Sequence, residues 1–210
     1  MNLTLHLEAL TPHAQNLFSN LSVFSDFYLA GGTALALQIG HRISYDFDLF
    51  SEKPIQKTLL VKIEKLFKSN KIIISVNIKD ELTVYLEETK LTFLHYPFPI
   101  IKPLIFENNI ALLSVPEIAA TKAYTIGRRA TYRDYIDLYA ILINGKVFLK
   151  EVIALAEEKY NTTFDTRLFL EQLIYFDDLE EATIQFLGIP VERNNLKQFF
   201  QDEVRKIKIL

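Results

Sequence analysis

Two aspartates separated by a single residue, Asp46 and Asp48, are the part of this chain best suited to chemistry. They lie in Asp46-Phe47-Asp48-Leu49-Phe50, where polar and apolar residues alternate as in a half-buried strand. Successive strand side chains point to opposite faces, so both carboxylates project to one side, about 7 Å apart at ~3.4 Å per residue. Phe47 and Leu49 point the other way, into a core. Two neighbouring carboxylates repel unless a cation lies between them. Magnesium shared with substrate phosphates is the usual occupant of such a pair. Upstream, the short apolar strand Phe27-Tyr28-Leu29-Ala30 runs into Gly31-Gly32-Thr33. A helical pattern through Ala34, Leu35 and Leu37 follows and stops at Gly40. Glycines allow backbone N–H groups close to an anion, and the helix N-terminus adds a positive dipole end. Thr33 reads either as the cap of that helix or as a hydroxyl ligand to phosphate. This stretch therefore offers a phosphate cradle beside a divalent-metal ligand pair.

A second group of residues lies past the middle of the chain. Ile118, Lys122 and Ile126 recur every fourth residue and share a helix face with Ala119 and Ala123. Lysine is almost never fully buried without a partner. Two readings stay open: a snorkelling side chain with its amine at the surface, or an amine paired with an anion such as a triphosphate or Asp46 and Asp48. The next helix carries Asp134 and Asp137 three residues apart on one face. Asp134 also fits the T-x-x-D start made with Thr131. Arg128, Arg129 and Arg133 flank the corner, where a solvated ion-pair cluster is the simplest reading.

These two blocks together resemble the nucleotidyltransferase superfamily, and more closely the AbiEii/AbiGii-type toxin nucleotidyltransferases. The first block is GG-T followed by HR-x-S-x-D-x-D-L-F. The second is Lys122 and Arg128, matching a K-x(4–6)-R segment, then Arg133-Asp134-Tyr135-Ile136-Asp137-Leu138, matching (K/R)-D-x-x-D-L. Lys90 to Pro99 is similar to the family's third core strand, and the resemblance covers most of residues 27–145. It implies an α/β fold: a nucleotidyltransferase-like mixed sheet core flanked by helices, then a C-terminal helical bundle. It implies transfer of a nucleotide from an NTP to an acceptor, with pyrophosphate released. Asp46 and Asp48 would hold Mg2+; Gly31, Gly32, Thr33, Arg42, Ser44 and Arg128 would bind substrate. Lys122, Asp134 and Asp137 would join the two aspartates in catalysis, with Lys122 meeting the triphosphate. The acceptor implied is RNA, such as a tRNA 3′ end, and the partner implied is a cognate antitoxin. Two alternatives stand beside this: a nucleotidyltransferase for aminoglycoside-like small molecules, and a nucleotide- or partner-binding protein without turnover. The second draws on one departure. The wider superfamily places a third carboxylate on the later strand, and here that position is Thr92.

Half of the 210 residues are hydrophobic, which suits a sizeable core. A net charge of −3 excludes a strongly basic surface overall. The absence of cysteine excludes disulfides and thiolate metal sites. No signal-like N-terminus and no apolar run of about 18 residues is present, so a cytoplasmic protein without a membrane span is expected. Strand-rich sequence gives way to helical sequence near residue 114, which suggests a core over 1–113 and a helical bundle over 114–210. In order, the pattern predicts a helix from Thr11-Pro12, a helix from Pro54 to about Lys68, and a strand over Lys71–Ile78. A hairpin follows over Leu82–Glu87 and Leu91–Tyr96, then a short strand over Ile110–Leu113. Helices follow from Ser114 (closed by Gly127), from Thr131 (ending near Asn144-Gly145), and over Phe148–Tyr160, Asp165–Phe176 and Asn195–Lys206.

Overall fold

The computed structural model describes residues 4–68, 70–129, 131–145, 147–180 and 182–207. The chain divides into two compact units, Met1–Pro99 with Pro103–Leu113, and Ile100–Lys102 with Ser114–Leu210.

The first unit is built on a seven-stranded mixed sheet. Its strands are β1 (Tyr28–Ala30), β2 (Phe47–Ser51), β3 (Ile72–Asn77), β4 (Glu81–Leu86), β5 (Thr89–His95), β6 (Ile105–Glu107) and β7 (Ile110–Leu112). They run in the order β3-β4-β5-β2-β1-β7-β6. Strand β2 is antiparallel to β1 and parallel to β5, and β1 is parallel to β7 through Leu29 and Leu112. One face of the sheet carries a buried apolar core of Leu29, Phe47, Leu49, Leu82, Val84, Leu91 and Phe93. Phe93 meets Phe24 and Phe27 edge to face at 4.9 and 5.1 Å, a preferred geometry for aromatic pairs.

Among the described residues three α-helices belong to this unit: α1 (Pro12–Phe18), α2 (Gly31–Ile39) and α3 (Leu59–Leu66). Helix α1 starts as its sequence demands, with Pro12 at the first position and the Ala14 amide donating to the Thr11 hydroxyl at 3.2 Å. Helix α3 begins at Leu59 rather than Pro54. Its apolar face is buried at Leu59 and Ile63, whereas Ile55, four residues earlier, is only half-buried and lies outside the helix. The hairpin β6–β7 has a first strand that the sequence pattern did not suggest. It is three residues long, follows Pro103, and exposes Phe106. In its turn Asn108 and Asn109 both take positive φ, 51° and 61°, as a tight hairpin of this kind requires.

The second unit contains five helices among the described residues: α4 (Val115–Arg129), α5 (Tyr132–Ile143), α6 (Leu149–Tyr160), α7 (Thr166–Ile174) and α8 (Arg193–Arg205). Helix α4 does not stop at Gly127 but runs on to Arg129. Gly127 sits inside the helix where it faces Phe169 of α7, and a Cβ there would lie at an ordinary contact distance, 3.8 Å, from the Phe169 Cα. Ile100–Lys102 belong to this unit because the Ile101 and Lys102 amides both donate to Oε1 of Glu117 at 2.7 Å. The other Glu117 oxygen accepts from Lys159 Nζ at 2.7 Å, and both side chains are fully buried. Tyr135, at the centre of α5, packs edge to face on Phe176 and Phe200 and donates its hydroxyl to the Gln172 carbonyl at 2.7 Å.

Candidate active site

The first constellation stands on the other, open face of the sheet. Asp46 immediately precedes β2 and Asp48 lies within it, with Phe47 and Leu49 buried beneath. Gly31 and Gly32 do not form a separate turn. They are the first residues of α2, whose N-cap is Ala30. Ala30 pairs with Asp48 in the β1–β2 register, so the helix starts beside the carboxylate. Gly31 takes φ +66°, and a Cβ there would lie 2.7 Å from Asp48 Oδ2. The close approach of backbone to carboxylate is thus open to glycine alone. Gly40 closes the helix in the left-handed conformation, as its sequence position suggests.

Thr33 does not cap α2. It is buried in the helix, and its hydroxyl bonds the Ser44 hydroxyl at 2.7 Å and donates to the Asp46 carbonyl. Ser44 is tied in turn through its amide to the Ala9 carbonyl at 2.7 Å. The HRISYD stretch is therefore a brace that fixes the backbone of Asp46. Arg42 is buried within that stretch and donates to the Ile43 carbonyl at 3.1 Å.

Strand β5 completes the open face. The parallel register sets Thr92 directly beside Asp48, the position where the superfamily's third carboxylate is expected. Glu87 and Glu88 form the turn between β4 and β5, with Glu87 at φ 54°. One residue absent from the sequence-based set also appears: Lys90 Nζ lies 3.6 Å from Asp46 Oδ2. Its signal was its parity with Thr92 on an adjacent strand, which becomes visible only once the register is known.

Among the described residues no group of three or more acidic or histidine side chains is placed to hold a metal ion. The donor set of Asp46 and Asp48 is nevertheless hard oxygen only. It suits magnesium bound through two carboxylates, with phosphate and water completing the shell. A Thr92→Asp variant should leave transfer unchanged or lower it. The new acid would face Asp48 across the strand pair and tend to stay protonated. A large gain in rate in a single-turnover assay would contradict this.

In the second unit, Lys122 is buried between two acids of α5. Its Nζ donates to Asp134 Oδ1 at 2.8 Å and lies 2.7 Å from Asp137 Oδ2. The lysine is not snorkelled; its observed partners are these two carboxylates. Burial alone would lower its pKa, but the charges of Asp137 and then Asp134 outweigh that and hold it above its ordinary value. Asp134 Oδ2 accepts from both the amide and the hydroxyl of Thr131, at 2.9 and 2.7 Å, which starts α5. Asp137 is fully buried. Arg128 is exposed and stacks on Tyr124, its guanidinium carbon 3.7 Å from the ring centre. Tyr124 itself stacks on Tyr160 at 4.0 Å, and Arg128 also donates to the Thr163 carbonyl.

Comparison with known proteins identifies the family and fold of the chain. The chain is 31% identical over 192 residues to the uncharacterized protein aq_aa25 of Aquifex aeolicus (strain VF5), covering 89% of this chain and 90% of that one. Its fold is shared with MenT4, a nucleotidyltransferase toxin from Mycobacterium tuberculosis H37Rv. The TM-score is 0.64 at 16% identity, over 93% of this chain and 83% of that one. JHP933 from Helicobacter pylori superposes with a TM-score of 0.54 at 16% identity, over 94% of each chain. The pattern of the nucleotidyl transferase AbiEii toxins of Type IV toxin–antitoxin systems matches residues 15–97 and 80–208. With that match spanning both units and both motif blocks, the chain belongs to the AbiEii family and is a nucleotidyltransferase.

Proposed function

We propose that this enzyme moves a nucleotide from a magnesium-bound NTP to a hydroxyl of an RNA acceptor, such as a tRNA 3′ end, as the toxin half of a pair with an antitoxin. The observation that carries the reading is the placement of Asp46 and Asp48 on the open face, with Asp48 against the Gly31 backbone at the start of α2. Asp46 and Asp48 would hold the metal, and the first amides of α2 at Gly31 and Gly32 would face phosphate. Thr33, Ser44 and Arg42 are assigned to positioning Asp46 rather than to touching substrate. Bound magnesium would neutralise phosphate charge and orient the triphosphate.

In the reaction the acceptor oxygen attacks the α-phosphorus and a new P–O bond forms. The bond from that phosphorus to the oxygen bridging to the β-phosphate breaks, and pyrophosphate departs with the electron pair. The acceptor proton is assigned to water. Asp134 and Asp137 are both engaged with Lys122. Their role in this reading is to orient Lys122 within the second unit.

The test is incubation with each labelled NTP plus total RNA and magnesium. Label should enter RNA with one NTP in preference to the others, and chelation should stop it. In calorimetry, Asp48→Asn should bind that NTP about tenfold more weakly at saturating magnesium, the loss expected for one ligand contact of ~1.4 kcal/mol. No transfer of label from any NTP would overturn the RNA reading. Transfer to aminoglycoside-like compounds instead would favour a small-molecule acceptor.

A further inference from the structure

The open face of the sheet carries one charged residue that the preceding reading leaves without a part. The register of β2 and β5 places Leu91 beside Phe47 and Thr92 beside Asp48. By the strand alternation, Lys90 then stands beside Asp46 on the same face as the two carboxylates. Both oxygens of Asp46 meet it. The Lys90 amide donates to Oδ1 at 3.4 Å, and its Nζ lies 3.6 Å from Oδ2. The pair is about one-third exposed, with 34% for Lys90 and 36% for Asp46, so it faces the side from which a ligand arrives. The flanking strands add no further acid at these positions. Thr83 lies across from Thr92, Tyr85 lies across from Lys90, and Ala30 lies across from Asp48. Glu81, the acid of β4, accepts the Thr83 hydroxyl at 2.7 Å.

Around Asp46 the open face therefore presents the two carboxylates and one ammonium, while the third acid of that face, Glu81, stands on β4 and is engaged by Thr83. A second divalent ion on Asp46 would lie against that ammonium, where like charges repel. It would also lack a carboxylate from β5, since Thr92 occupies the place. We propose that Lys90 takes the part of a second cation, so that the site works with a single magnesium ion per nucleotide. The ammonium holds Asp46 in position and supplies the positive charge that another metal would otherwise bring. Lys90 is thus a positioning residue acting through Asp46, and the proposal rests on the nucleotidyltransferase reading.

The experiment counts bound Mn2+ by electron paramagnetic resonance, using the full chain and an NTP analogue with a methylene bridge between the α- and β-phosphates. The wild type should hold one tightly bound Mn2+ per chain, and Lys90→Arg should do the same. Lys90→Met keeps the stem and should fold normally, because an exposed ion pair contributes little to stability. It should bind its first ion about tenfold more tightly, since a like charge has been removed. Lys90→Met combined with Thr92→Asp should gain a second tight ion. Two tight ions in the wild type would overturn the proposal, as would a double variant indistinguishable from wild type in ion count and affinity. Tight nucleotide binding with two ions would remove only the assignment of Lys90. Failure of the wild type to bind analogue or metal at all would remove the nucleotidyltransferase reading together with it.

Discussion

Replacing Lys122 by methionine is expected to destabilise the protein by about 3–5 kcal/mol, the usual effect of removing one partner from a buried charge cluster. The lysine is 8% exposed and Asp137 is fully buried, so water cannot take its place beside the carboxylates. The change keeps the stem and removes only a charge, but that charge is the partner of both acids. Removing the acid as well should recover much of the loss, because Lys122→Met with Asp137→Leu leaves an apolar contact instead of an orphan charge. Asp134 must stay, since it also starts α5 through Thr131. Urea unfolding of the wild type and both variants checks this, and equal midpoints for all three would contradict it. The pH dependence has a definite sign. The folded pKa of Lys122 is raised, so its contribution is fully present below the ordinary value of 10.5. It is lost only as pH climbs through the raised value, leaving the neutral range flat.

Gly31→Ala is expected to lower transfer by about 10²-fold, the scale of a roughly 1 Å misplacement of a reacting group. Two effects combine. A residue other than glycine held at positive φ costs roughly 1–2 kcal/mol. In addition the new Cβ would meet Asp48 Oδ2 at 2.7 Å and push the carboxylate from its place. Gly145 separates the two effects. It has nearly the same φ, +67°, but nothing lies within 4 Å of a Cβ built there. Gly145→Ala should therefore show the backbone cost in thermal unfolding and keep wild-type transfer. If Gly31→Ala matched it in both assays, the contact with Asp48 would have no functional weight.

The features legible in the sequence were those set by local period. The spacing of Asp46 and Asp48 gave their common face, because strand parity depends on nothing beyond the strand. Lys122 was conspicuous because a charge interrupts an apolar stripe, and Thr131 with Asp134 announced the start of α5. What escaped was whatever depends on a partner distant in sequence. The acids around Lys122 lie on the same protein face only after α4 and α5 pack, and Lys90 meets Asp46 across 44 residues. Gly127 shows the same limit, since a glycine that ends a helix and one inside it differ only in what stands opposite, here Phe169. Thr33 reads as a helix cap or a phosphate ligand because the helical pattern of the sequence begins only at Ala34. With the helix starting at Gly31, its hydroxyl turns inward to Ser44.

The parallel pairing of β1 with β7 also fixes an order of events during synthesis. Leu29 waits for Leu112, with 82 residues to be made in between. At ~5–20 residues per second that interval is roughly 4–17 s. Strand β2, by contrast, finds β1 within 19 residues, since Leu49 pairs with Leu29 and 49 − 29 = 20 positions bounds the delay. The residues facing one another across β2 and β5 are complete once His95 is made, well before β7 exists. The nascent chain therefore registers its carboxylates first and covers the far edge of β1 last. Until then β1 offers an unpaired row of backbone donors and acceptors on the ribosome, the interval in which a chaperone or a second nascent chain has access to it.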